Sequence, residues 1–153
     1  MGQGYKRDWV LGWDVVRRFT EWVEFTCMED YDVVVGILNG GALPALVVSN
    51  VLKLPVYWIR VRSYEGKEKG ELEAKGLDFD KEDLEGKKIL LVDDIVDTGD
   101  TLNYVRGLLL GEYGAKDVFC VTVVSKRKML NGVNMLTVPQ FVWVVFPWEN
   151  RCI

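Results

Sequence analysis

Hydrophobic positions along the chain switch between two periods. Trp13, Val15, Val16, Phe19, Trp22 and Val23 fall mostly on one helical face, with Arg17, Arg18, Glu21 and Glu24 away from it. The β-branched run Val33-Val34-Val35 predicts a strand that ends in Gly36-Ile37-Leu38-Asn39-Gly40-Gly41. A helix is expected next, with Pro44 suited to its first turn and Leu46, Val47 and Val51 apolar. Pro55 to Arg62 reads as a second strand and Ile89 to Val92 as a third. Thr101 to Tyr113 has a helical pattern closed by Gly114, and Val118 to Val124 is a nearly continuous apolar strand. The chain closes on two short strand-like runs, Val133 to Thr137 and Phe141 to Phe146, with no helix between them. That pair is expected to form an antiparallel flap. Ser63 to Asp80 is polar and punctuated by Gly66, Gly70 and Gly76, a connection long enough to suggest a functional loop.

Strands that are apolar throughout, alternating with helices, indicate a parallel sheet covered on both faces. The expected fold class is therefore α/β, with residues 1–153 forming one domain and ligands gathering where strands end. No internal repeat, low-complexity segment or linker to a second domain interrupts the pattern.

Composition narrows the chemistry. The formal net charge is −4, with 19 Lys and Arg spread along the chain, which argues against a nucleic-acid partner. The 3 cysteines, Cys27, Cys120 and Cys152, are far apart and odd in number, so a disulfide framework is not expected. There are 0 histidines and no CxxC, which removes the usual zinc sites and every Ser-His or Cys-His pair. Acid–base work falls to carboxylates, lysines, tyrosines or backbone. The N-terminal MGQGYKRDW has no apolar leader, and no apolar run approaches a membrane span; a soluble, cytoplasmic protein with no membrane partner is expected.

The densest chemistry lies in ILLVDDIVDTGDTL, Ile89 to Leu102. A glycine turn between a strand and a helix normally cradles phosphate, because the helix's first N–H groups point at the anion. Here Asp93, Asp94, Asp97 and Asp100 crowd that turn. Helix capping accounts for one of them but not for four mutually repelling carboxylates. There is no GxxxxGK(S/T) and no GxGxxG, so neither a P-loop nor a dinucleotide fingerprint is present. Receiver domains carry their acidic pair at the first strand, and haloacid-dehalogenase phosphatases separate two aspartates by one residue; neither pattern fits.

The stretch closely resembles the signature of the type I phosphoribosyltransferases, which bind 5-phosphoribosyl diphosphate (PRPP): apolar strand, Asp-Asp, two residues, then Asp-Thr-Gly-x-Thr. By that resemblance Asp93 and Asp94 face the ribose hydroxyls and a hydrated Mg²⁺, held through water. Asp97, Thr98, Gly99, Asp100 and Thr101 form the 5-phosphate loop. Carboxylates and anion then sit at opposite ends of one sugar, and the carboxylates stabilise positive charge developing at its C1. Asn39-Gly40-Gly41 looks like the family's diphosphate loop, where two glycines let backbone approach an anion. Relatives often carry Lys or Arg where Asn39 stands, so backbone is left with more of that contact. The family also implies a non-proline cis peptide at Leu38–Asn39. Ser63-Tyr64 matches the Ser-Tyr that opens a catalytic loop, here about residues 63–80, which shields the reacting centre from water.

The ending WVVFPWE is similar to that of the bacterial xanthine-guanine enzymes in the purine branch. The similarity implies that Lys126 donates to the 6-oxo group of the base, Trp143 stacks on it, and Val144 reads its edge with main-chain groups. It puts Glu149 near base or metal, and makes residues 126–153 part of a hood. Taken singly, Lys126 belongs equally well to the basic turn Lys126-Arg127-Lys128, and Trp143 to a core. With no histidine present, Asp97 is the candidate to exchange the N7 proton. The implied activity is purine phosphoribosyl transfer from PRPP to guanine, xanthine or hypoxanthine with Mg²⁺, in a homodimer or homotetramer. Two alternatives stand beside it: the same reaction on another base, or a non-catalytic nucleotide-sensing regulator, which the acidic balance disfavours.

Overall fold

The computed structural model describes residues 7–26, 30–63 and 71–149. Its elements are β1 (Arg7–Val10), α1 (Asp14–Thr26), β2 (Val33–Leu38), α2 (Ala42–Leu52), β3 (Val56–Ser63), β4 (Leu72–Gly76), α3 (Lys81–Leu84), β5 (Lys88–Val96), α4 (Asp100–Gly111), β6 (Asp117–Ser125), β7 (Gly132–Thr137) and β8 (Val142–Val145). The α/β class is as expected. A six-stranded sheet runs in the order β4-β3-β2-β5-β6-β7, parallel except for β4, which pairs antiparallel with β3.

Helices cover both faces because the strands are apolar on both. Val34, Leu90, Val92 and Val121 pack with Val15, Phe19 and Val23 of α1 and Ala45 and Val48 of α2. On the other face Val35, Ile37, Ile89, Leu91 and Val118 pack with Leu102, Val105 and Leu109 of α4. The helix at the start buries Val15, Phe19 and Val23 as its pattern predicts, although Trp13 remains 62% exposed. In α2, Pro44 lies in the first turn and is buried with Ala45 and Val48, while Leu46 faces outward.

Three expectations are corrected. The terminal runs do not make an antiparallel flap: β7 joins β6 in parallel, and β8 pairs in parallel with β1 as a separate two-stranded sheet. The segment expected as one loop contains the strand β4 and is followed by the short helix α3, with residues 64–70 outside the described part. The third strand does not stop before the aspartates, because β5 continues through Asp93 and Asp94 to Val96.

The order β3-β2-β5-β6 makes β2 and β5 the switch point: α2 carries the chain from β2 to one side of the sheet and α4 carries it from β5 to the other. The crevice beyond the carboxyl ends of two such strands is where open α/β sheets bind ligands.

Candidate active site

Val33 to Gly36 of β2 pair in register with Ile89 to Val92 of β5, so the two chains leave the sheet side by side. The exit from β2 is Leu38-Asn39-Gly40-Gly41, and its Leu38–Asn39 peptide is cis, as the resemblance implies. Both glycines are required by what lies against them. A Cβ on Gly40 would coincide with the Asp94 carboxylate, and one on Gly41 would lie 2.8 Å from the Val92 carbonyl oxygen and 3.1 Å from Cα of Asp93. The two sequence motifs are therefore packed into one surface.

Successive strand residues alternate between faces, but the carboxyl groups of Asp93 and Asp94 remain within contact of each other. Asp94 turns to the α2 side, against Gly40. Asp93 turns toward the phosphate loop, where it lines a recess of about 110 Å³ with Asp97, Thr98, Gly99, Asp100 and Thr101. Each carboxylate accepts one backbone N–H at 2.8 Å, Asp94 N–H to Asp93 Oδ1 and Ile95 N–H to Asp94 Oδ1. Burial pushes Asp93 well above the usual carboxylate range, and repulsion from Asp94 adds to it. Burial also raises Asp94, and the carboxylate of Glu149 reinforces that shift. Glu149, in the C-terminal turn, thus acts on Asp94 through its charge.

The recess is closed by the start of α4. Gly99 precedes the helix at φ 91°, a left-handed conformation that glycine adopts without a Cβ clash. The Asp100 N–H donates to Thr98 Oγ1 at 3.2 Å, and Asp100, Thr101 and Leu102 of the first turn of α4 line the recess.

Asp97 faces the last strand ends. Lys126 Nζ lies 3.8 Å from Asp97 Oδ2, with the lysine side chain 3% exposed and the aspartate 47% exposed. This separates Lys126 from Arg127 and Lys128, which do lie in solvent. The turn is pinned by Lys126 N–H donating to Val96 O and Arg127 Nε to Asp97 O, both at 2.9 Å. Gln140 Nε2 donates to Lys126 O at 3.4 Å and ties in the approach to β8. Sequence reasoning missed Arg127 and Gln140 in these holding roles; nothing in a basic run or a lone glutamine marks them.

On β8, Trp143 is 42% exposed, which excludes a core role, while Val144 is buried. Leu11 N–H donates to Val145 O at 2.9 Å, so Val145 faces β1 and the main-chain N–H and C=O of Val144 face the open edge of this two-stranded sheet. Ser63 ends β3 in an exposed position, and Tyr64 lies outside the described residues.

Two offset carboxylates fit a hard divalent cation, whose binding relieves their repulsion. Among the described residues no group of three or more His, Cys, Asp or Glu could cage a metal. A cation held here would need its remaining oxygens from water and bound ligand, as Mg²⁺ commonly does. The site as a whole joins a recess at the start of α4, an acidic pair at the end of β5, and a buried ammonium paired with a carboxylate at the turn after β6.

Residues 8–151 match the phosphoribosyl transferase domain family. The chain is 32% identical to the xanthine-guanine phosphoribosyltransferase of Chromohalobacter salexigens over 150 residues, covering 95% of this chain and 86% of that protein. It is 31% identical to the enzyme of the same name from Desulfotalea psychrophila, covering 99% and 92%. The crystal structure of a purine phosphoribosyltransferase from Pyrococcus horikoshii superposes with a TM-score of 0.79 at 26% identity, covering 95% of this chain and 96% of that one. On these matches, and with the fold they share, the chain belongs to the phosphoribosyltransferase family, in its purine branch.

Proposed function

We propose that the chain transfers the 5-phosphoribosyl group of PRPP to a 6-oxopurine (guanine, xanthine or hypoxanthine), giving the nucleoside monophosphate and diphosphate. The observation that carries this reading is the Lys126–Asp97 pair, 3.8 Å apart beside the phosphate turn. A 6-oxopurine presents O6 and N7 as neighbours on one edge. The ammonium donates to O6 while the carboxylate exchanges the proton at N7. Adenine presents a donor in place of O6, directly against the ammonium.

The remaining roles follow the site's layout. Thr98, Gly99, Asp100 and Thr101 hold the 5-phosphate with hydroxyls and the amides of α4. Asp93 and Asp94 hold the ribose hydroxyls and Mg²⁺, and their charge stabilises the cationic C1 as diphosphate departs. Mg²⁺ held at Asp93 and Asp94 would supply charge neutralisation to the diphosphate leaving group. Asn39, Gly40 and Gly41 take diphosphate on the β2 side. Trp143 stacks on the base and Val144 reads its edge through free main-chain groups. Glu149 supports the acidic pair, and Ser63 lies at the edge of the reacting centre. Residues 1–153 act as one domain, with the β1–β8 sheet and the segment after Lys126 as a hood over the base. Outward-facing Val10, Trp13 and Phe25, at 70%, 62% and 89% exposure, support a homo-oligomer.

Variants of the pair test the reading. Lys126→Gln lowers kcat/KM for the 6-oxopurine by about 10²-fold, the scale of one lost specific hydrogen bond from a charged group, with KM for PRPP unchanged. Asp97→Asn lowers kcat by about 10²- to 10⁴-fold. Wild-type kinetics in either variant would remove the pair from the base site.

A further inference from the structure

We infer that a cavity behind the turn at Thr98 and Gly99 binds a small phosphate monoester with an apolar body, and that its occupancy weakens PRPP binding at the front of that turn. Only the second half rests on the proposed reaction. The cavity holds about 210 Å³ between α4 and the connection from β6 to β7. Val96, Thr98, Gly99 and Leu102 line both this cavity and the recess beside Asp93, so one turn borders the two.

The cations of the cavity come from two elements, Arg106 from α4 and Arg127 from the turn after β6. Each gives its Nε–H to a backbone carbonyl at 2.9 Å, Arg106 to Val118 O and Arg127 to Asp97 O. Those bonds position the guanidiniums and leave their terminal N–H groups for a ligand. Among the described residues no Asp or Glu lines the cavity, and neither arginine forms an ion pair within 4.0 Å. In a chain of net charge −4, this is a local excess of two positive charges. Asn103 Nδ2 and Arg127 Cδ flank Gly99, 3.6 and 3.9 Å from where a Cβ would stand, so amide and guanidinium stand at one wall. Two guanidiniums and an amide suit a dianionic phosphoryl group, whose oxygens accept from guanidinium N–H groups in pairs.

The rest of the lining sets the body of the ligand. Val96, Leu102 and Cys120 are buried, Met129 is partly buried, and Leu130 is 89% exposed. Burial pushes the Cys120 thiol up to about 11, which keeps it neutral as part of the apolar lining. An apolar group seated here covers Leu130, and the flexible Met129 adapts to its shape. Arg127 is bonded to the turn whose front takes the 5-phosphate in the proposed reaction. An anion on its guanidinium offsets positive charge behind the turn and so lowers affinity for PRPP, and the coupling is reciprocal.

Phenyl phosphate is the probe, compared with inorganic phosphate, which lacks the ring, and benzoate, which carries one charge on the same ring. Spectra of the ¹³C-labelled methionine methyls report the site, because Met129 lines the cavity and Met129→Leu assigns its signal. Phenyl phosphate is expected to shift that signal in wild type, and at saturating probe to do so with PRPP and Mg²⁺ present. Its affinity falls by about tenfold or more in Arg106→Gln and in Leu130→Asp. The second position is in solvent, so that variant tests the site without disturbing the core. Inorganic phosphate and benzoate each bind about tenfold or more weakly than phenyl phosphate. In turnover with a 6-oxopurine, the probe raises KM for PRPP about fivefold to a plateau, and Arg106→Gln loses this effect while its own kcat stays near wild type. An unmoved Met129 signal, unchanged affinity in both variants, or complete displacement by PRPP would overturn the site. Equal affinity for benzoate would overturn the phosphoryl assignment, and equal affinity for inorganic phosphate the apolar body. A KM that rises without limit would put the anion in the recess beside Asp93, and an unchanged KM would remove the coupling. A Met129 shift that depends on Arg106 in a protein inactive with every purine would count against the proposed reaction and leave the site standing.

Discussion

Asp93 and Asp94 are held at a strand end where neither charge is well solvated, and both are raised above their ordinary range. A carboxylate raised in the folded state binds more protons there than in the unfolded chain. Stability of the metal-free protein therefore falls as pH rises from about 4 through the raised values, and stays lost above them. Asp93→Asn should be more stable than wild type at neutral pH in the presence of chelator, with a flatter dependence as pH rises above the ordinary carboxylate range. It should also be inactive. Chemical denaturation at a series of pH values checks this; a variant less stable than wild type at neutral pH would mean that the pair is not strained by its own charge. At this scale the sequence was highly legible for the acidic pair and the phosphate turn, because residue types and spacing carry that chemistry directly. It was poorly legible for Lys126, whose burial beside Asp97 depends on where the turn after β6 lands. The reason for Gly40 was likewise hidden, since its neighbour Asp94 is distant in sequence.

Among the elements, long amphipathic or apolar runs were readable and short non-local ones were not. β1 has only four residues, two of them charged, and its partner β8 lies at the other end of the chain. β4 alternates correctly, but Glu, Lys and Gly are poor strand formers and conceal it. The direction of β7 misled for a physical reason. A parallel neighbour normally needs a connection of a dozen or more residues, yet here residues 126–131 return the chain to the start of β6. Cys120 N–H bonds Asn131 O at 2.8 Å, and a Cβ on Gly132 would strike Cys120. The C-terminal turn that carries Glu149 is anchored by Phe146, 2% exposed and stacked on Trp148 at 4.8 Å. Phe146→Ala is expected to cost about 3–5 kcal/mol in urea unfolding and to weaken base binding as the turn loosens. A loss below about 1 kcal/mol would show that the turn is held by other contacts.

At the scale of the whole molecule, the order β3-β2-β5-β6 explains why motifs some fifty residues apart in sequence meet in one surface. The β2 exit loop and the turn before α4 leave the sheet at the switch point, with Asp93 and Asp94 at that strand end and the Asp97–Lys126 pair beyond it. No described helix is long and apolar enough to cross a membrane. Sequence reasoning reached the parallel core of this arrangement because continuous apolar strands report burial on both faces. It did not reach the separate β1–β8 sheet, which depends on the chain's two ends meeting. The central claim is that the pair beside the phosphate turn selects a 6-oxopurine. Its most direct test is the rate of diphosphate release from PRPP and Mg²⁺ with hypoxanthine, guanine, xanthine or adenine supplied separately. At least one 6-oxopurine should be turned over about a thousandfold or more faster than adenine, because the ammonium meets a donor on adenine where it needs an acceptor. Release with adenine at an equal rate, or with none of the four bases, would contradict the account.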